Sequence, residues 1–127
     1  MSELPKDLKY ATSHEWVKVE EGNIVQVGIT DFAQQQLGDL VYIELPKLGR
    51  KVTVREQCAI VESVKTASDL FSPVAGEIIA INEAVVDKPE QVNDKPYQTW
   101  LFRIQADDLA DLDHLLDADA YQQLMDQ

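Results

Sequence analysis

Apolar and polar positions alternate in short runs along most of this chain. HEWVKVE (14–20), NIVQVGI (Asn23–Ile29), VYIEL (Val41–Leu45), CAIVES (Cys58–Ser63), TASDLFS (Thr66–Ser72), EIIAIN (Glu77–Asn82) and WLFRIQ (Trp100–Gln105) each read as a strand. In VYIEL the alternation puts Val41, Ile43 and Leu45 on one face. Glu21-Gly22 is a hairpin turn between the first two runs, and Pro46, Gly49, Pro73 and Ala75-Gly76 punctuate the middle. Two segments break the period. TDFAQQQLGD predicts a short helix with Thr30 as N-cap, Asp31 in the first turn and Gly38 after the last turn. From about residue 107 to 127, Leu109, Leu112, Leu115, Leu116, Tyr121 and Leu124 recur at helical spacing, with a break near Asp117–Asp119. PEQVNDKP, with two prolines and an Asn-Asp pair, reads as a loop. The sum is mainly β, a barrel or sandwich of short strands with one small helix and a helical tail.

The length of 127 residues is that of one domain, large enough for a core without disulfides or metal. Asp and Glu number 23 against 11 Lys and Arg, a net charge of −12 that repels nucleic acid and anionic membrane surfaces. The excess charge either serves solubility alone or steers the chain toward basic faces of other proteins. Cys58 lies in an apolar run and reads as a small buried hydrophobe, and no internal disulfide is possible. His14 and His114 lack zinc-site spacing, and no phosphate loop, nucleophile elbow or dinucleotide fingerprint is present. MSELPKDLKY lacks the apolar stretch of a secretory signal, so the expected location is the cytoplasm, or the mitochondrial matrix if a presequence was removed.

One residue does not fit this picture. Between CAIVES and TASDLFS stands Val64-Lys65, where a hairpin would call for Asn-Gly or another glycine pair. If the two runs pair, Lys65 stands at the tip. A local rule broken without visible gain points to function, although a tip lysine is also an ordinary solvated residue.

ESVKTASDLFSPVAGEI, around Lys65, resembles the lipoylation segment of the glycine cleavage system H proteins. SHEWV (13–17), VGITDFAQQQLGD (27–39), VYIELP (41–46), NEAVVDKPEQVN (82–93) and LLDADAY (115–121) are similar to the same family, in the same order. Gly49 stands sixteen residues before Lys65 and Gly76 eleven after it, as in the family. The resemblance implies a lipoyl/biotinyl-type barrel-sandwich of short antiparallel strands, here a single lipoyl-carrier domain over 1–127. It implies lipoate in amide linkage to Lys65, on a long flexible stem that swings between enzymes. The cofactor's disulfide is confined to a five-membered ring away from its relaxed dihedral, and so is easily opened.

In such a family the chain is a carrier and substrate, and does not itself catalyse. The implied partners are glycine decarboxylase with its pyridoxal phosphate, which loads the arm, and aminomethyltransferase, which passes the one-carbon unit to tetrahydrofolate. Dihydrolipoyl dehydrogenase, with FAD, reoxidises the arm, and a lipoylating enzyme attaches it, recognising the hairpin with the help of Glu62. No nucleic acid or membrane partner is implied, and the carrier is a monomer. Ser13, Glu15 and Asp69 fall where the family's contacts to the loaded arm map; the plain alternative for each acid is a solvated surface group.

Two departures stand out. TVREQ places Arg55 where the family has a glycine-containing turn, and PYQTW (96–100) is one residue shorter than the family's PYGxGW and lacks both glycines. Lys47, Arg50, Lys51 and Arg55 gather four cations in nine residues, either a docking patch or a solvated loop. Other carriers fit less well. A biotin carrier presents MKM, unlike Val64-Lys65-Thr66, and a 2-oxoacid dehydrogenase lipoyl domain presents DKA and lacks the SHEW segment and the LLDADAY tail. An H-like relay of lipoyl groups to other lipoate-dependent enzymes is hardly separable from glycine cleavage by sequence. An unmodified β-rich interaction domain is the reading from a different class.

Overall fold

The computed structural model describes residues 4–126. Among the described residues nine strands form in chain order: β1 (Lys9–Tyr10), β2 (Glu15–Glu20), β3 (Ile24–Ile29), β4 (Leu40–Glu44), β5 (Lys51–Val52), β6 (Gln57–Ser63), β7 (Ala67–Phe71), β8 (Gly76–Ile81) and β9 (Phe102–Ala106). Helices are α1 (Asp31–Leu37), α2 (Ala84–Asp87), α3 (Glu90–Asp94) and α4 (Ala118–Met125), with a 3₁₀ turn at Leu109–His114. All pairings are antiparallel. One sheet has the order β1-β2-β3-β9-β8-β5 and the other β4-β6-β7. The result is a sandwich and not a closed barrel, mainly β as the alternation predicts.

Between the sheets, Val25, Val27 and Ile29 of β3 meet Val61 of β6, Ile78 of β8 and Ile104 of β9, all fully buried. A second, smaller cluster of Leu8, Tyr10, Trp16, Ala118 and Tyr121 covers the outer face of β2. Trp16 and Val17, neighbours on β2, point into different clusters, so this strand is buried on both faces there. The indole takes the space over Gly28, its partner across the strand pair: a Cβ at residue 28 would lie 2.4 Å from the ring.

The local signals explain most elements. Thr30 Oγ1 accepts from the Ala33 N–H at 3.2 Å and caps α1, and the Asp31 carboxylate accepts from Gln34 and Gln35. Gly38, at φ +84°, ends the helix. In the tail, the break falls between the 3₁₀ turn and α4. There Asp117 accepts from the Ala120 N–H at 2.8 Å, while Asp108 caps the 3₁₀ turn.

Two expectations are corrected. Val41, Ile43 and Leu45 do not share a buried face. A bulge between Leu40 and Tyr42 shifts the register with β6, so Leu40 and Ile43 go inward and Val41 is 54% exposed. PEQVNDKP is not a loop, because α3 spans Glu90–Asp94 and buries Val92. Asn93 pays for the irregular chain around it. Its side chain accepts from the Leu40 N–H and donates to Gln34 Oε1 and the Gly38 carbonyl, tying α3 to the end of α1.

Candidate functional site: the lysine hairpin and its cavity

β6 and β7 pair as expected, with Glu62 opposite Ala67 and Ile60 opposite Asp69, and Lys65 lies exposed at the tip. The turn forms without glycine, and none of Val64, Lys65 and Thr66 takes a positive φ. Ser63 replaces the missing turn chemistry. Its hydroxyl accepts from the N–H groups of Lys65 and Thr66 at 3.3 and 3.1 Å, and its own N–H donates to the Thr66 carbonyl at 2.7 Å. The Val64 N–H donates to the Asp39 carbonyl at 3.1 Å, which docks the tip on the turn after α1. There the Lys65 stem passes Gly38, with Cε 3.5 Å from where a Cβ would stand. Among the described residues Lys65 has no salt-bridge partner. Glu62 is exposed, opposite Tyr42 on β4 and Ala67 on β7.

At the other end of β7 lies a cavity of about 250 Å³, lined by Ser13, Glu15, Arg55, Phe71, Ser72 and, where the 3₁₀ turn ends, His114 and Leu115. Glu15 is 1% exposed. Its carboxylate accepts from the Ser13 hydroxyl and, at 3.4 Å, from the Phe71 N–H, but it has no cation partner among the described residues. Burial pushes its pKa up, with its hydrogen bonds opposing. Ser13 and Glu15 are therefore brought together in one cavity. Asp69 is not part of its wall. It is exposed on β7, two residues before Phe71 and so on the same strand face, between the lysine tip and the cavity.

The loop holding Ser13 is fixed from the tail. His14 takes φ +74°, its Nδ1 is 2.6 Å from the Tyr121 hydroxyl, and that hydroxyl is 2.9 Å from Thr30 Oγ1. Tyr121 also stacks on Tyr10 with centroids 4.8 Å apart. Burial pushes the His14 pKa down. Cys58 is buried and its thiol is pushed up to about 12 by desolvation, an inert core residue as read from the sequence.

The departures have structural answers. Arg55 keeps a glycine-like backbone, φ +68°, held by its N–H to the Ser72 carbonyl at 2.7 Å, and it lines the cavity. Arg50 pairs with Glu56 at 2.8 Å. In the short PYQTW loop, the Pro96 carbonyl accepts from the Trp16 indole at 2.8 Å and the Tyr97 hydroxyl from the Asp31 N–H at 3.1 Å. The cavity walls from Phe71–Pro73 and His114–Leu115 had no signal in the sequence, since they meet only through packing of the tail on β7.

A sequence profile of the glycine cleavage H-protein family matches residues 8–127. The chain belongs to that family. It is 54% identical over 127 residues to the glycine cleavage system H protein of Methylococcus capsulatus, with both chains covered completely. To the H protein of Alcanivorax borkumensis it is 55% identical, covering 99% of this chain and 98% of that one. A crystal structure of the H protein from Mycobacterium marinum superposes with a TM-score of 0.90 at 37% identity, covering 98% of this chain and all of the other. As a family member this H protein is the carrier component of glycine cleavage. No helix among the described residues is long and apolar enough to cross a membrane.

Proposed function

We propose that this H protein carries lipoate in amide linkage on Lys65 and shelters the loaded arm in the cavity at Glu15. One observation supports the reading most. An exposed lysine at a hairpin tip is joined by a single strand, β7, to a cavity holding a buried carboxylate, and among the described residues neither has a salt-bridge partner. When attached, the lipoyl group supplies an easily opened disulfide that takes up the aminomethyl unit and hands it on.

The chain's own residues position, shield and release. Ser63 holds the turn that presents Lys65, and Gly38 leaves room for the lysine stem. Glu15, oriented by Ser13 and itself buried, offers a charge-assisted contact to an ammonium entering the cavity. Asp69, on the same face of β7, offers a second carboxylate along the way. Glu62 beside the tip serves recognition by the lipoylating enzyme. Residues 1–127 work as one carrier domain, a monomer in the cytoplasm that catalyses nothing itself. Its partners are glycine decarboxylase, aminomethyltransferase and dihydrolipoyl dehydrogenase.

Lys65→Ala tests the attachment site. Intact mass and peptide mapping after expression with lipoate should show the lipoyl adduct on wild type and none on the variant, with melting unchanged because the side chain is exposed. A lipoyl adduct on another lysine of the variant would overturn the assignment.

A further inference from the structure

The cavity is lined by an acid and a base that are not paired with each other. Glu15 is buried, and Arg55, exposed, is part of the cavity wall. No salt bridge joins them, and among the described residues the Arg55 side chain has neither an ion pair nor a hydrogen bond. Its neighbour Arg50 is satisfied by Glu56, so the two arginines of this segment are not equivalent. The backbone at Arg55 is left-handed, which a non-glycine L-residue adopts only at a cost. That strain is held by well-made contacts: Arg55 N–H to Ser72 O, Ser72 N–H to Glu56 O, and Thr53 N–H to the Glu56 carboxylate. The turn thus fixes Arg55 in the cavity wall. The one other titratable group of the wall besides Glu15 is His114.

We propose that Arg55 sets how readily the loaded arm leaves the cavity, acting as an electrostatic counterweight to Glu15. This rests on the reading of the cavity as the arm's shelter. An ammonium drawn in by Glu15 is repelled by the guanidinium of Arg55, whereas an uncharged arm feels neither. The residue therefore discriminates by charge state, weakening retention of the loaded arm and leaving the unloaded one alone. Across a cavity of about 250 Å³, with the guanidinium in contact with solvent, the repulsion amounts to roughly threefold to tenfold in affinity.

Three variants separate charge from backbone strain: Arg55→Gln removes the charge and keeps the strain, Arg55→Gly removes both, and Arg55→Lys keeps the charge. Propylammonium, with propanol as neutral control, is titrated into the full unlipoylated chain at low ionic strength. Amide shifts of Ser13, Glu15 and Phe71 report binding. The Gln and Gly variants should bind propylammonium about threefold to tenfold more tightly than wild type, Lys should match wild type, and propanol should not distinguish them. Added salt should narrow the difference. On lipoylated, loaded protein the Gln variant should lose formaldehyde and ammonia to water more slowly. Equal propylammonium affinity in wild type and Arg55→Gln, weaker binding in the variant, or a parallel change with propanol overturns the proposal. Glu15→Gln distinguishes the layers. If it abolishes the preference for propylammonium while the Arg55 variants change nothing, only the role of Arg55 falls. If it changes nothing, the shelter reading falls with it.

Discussion

At the scale of single residues, Glu15 is the group whose state the fold controls most strongly. Its folded pKa lies above the ordinary 4.5 because burial disfavours the carboxylate. The folded protein therefore binds more protons than the unfolded chain between those values. The stability contributed by the neutral acid is fully present below about pH 4.5 and is lost as pH rises through the folded pKa. Glu15→Gln cannot ionise, so its stability relative to wild type should improve between pH 4.5 and pH 7, as read from urea unfolding at both; parallel curves would contradict a costly buried carboxylate. Gly28 is controlled by shape. A methyl there meets the Trp16 indole at 2.4 Å with both groups interior, so Gly28→Ala should cost about 2 kcal/mol, visible as a lowered Tm. Lys65 was legible in the sequence because it breaks the rules of its turn. Glu15 was not legible from pattern alone: in HEWVKVE it looks like any outward-facing acid, and only its resemblance to the family marked it. Its burial comes from Ser13, Phe71 and the tail, which sequence spacing does not bring together.

At the scale of elements, the hairpin depends on one hydroxyl. Ser63→Ala removes the acceptor for two tip N–H groups and should cost about 1 kcal/mol. The loss should appear as faster amide exchange at Lys65 and Thr66, with exchange in β3 unchanged. A similar dependence ties α4 to the site. Tyr121→Phe keeps the ring that stacks on Tyr10 but strips the contacts of His14 and of the fully buried Thr30 hydroxyl. It should lower stability by about 1–2 kcal/mol and increase amide exchange in the Ser13 loop. A variant as stable as wild type would show that the tail is held by packing alone. Elements with a simple period or a cap were legible, such as α1 with Thr30 and the strands that became β6 and β7. The helix α3 was not, because two prolines and an Asn-Asp pair outweighed a single buried valine, Val92. The face of β4 was misjudged because a bulge adds one residue that alternation cannot register.

For the whole molecule, the class of fold followed from alternation, but the partition into sheets of six and three strands did not. Val27 pairs across from Phe102, and no local signal links positions so far apart in the chain. Charge acts at this scale as well. A net −12 is distributed over a sandwich with two salt bridges among the described residues, Arg50–Glu56 and Arg103–Glu20, and both are partly exposed. Such pairs contribute little, so the excess of carboxylates repels itself in the compact state more than in the expanded chain. Screening should then favour folding. Raising sodium chloride from about 10 mM to about 200 mM shortens the Debye length from roughly 30 Å to under 10 Å, below the width of a small domain. The Tm should rise by roughly 3 °C at pH 7. Chloride rather than sulfate is the right probe, because sulfate stabilises burial by exclusion whatever the charge. Repeating the comparison near pH 4.5, where many carboxylates gain protons, should shrink the effect. A salt response of equal size at both pH values would mean that self-repulsion is not what opposes the fold.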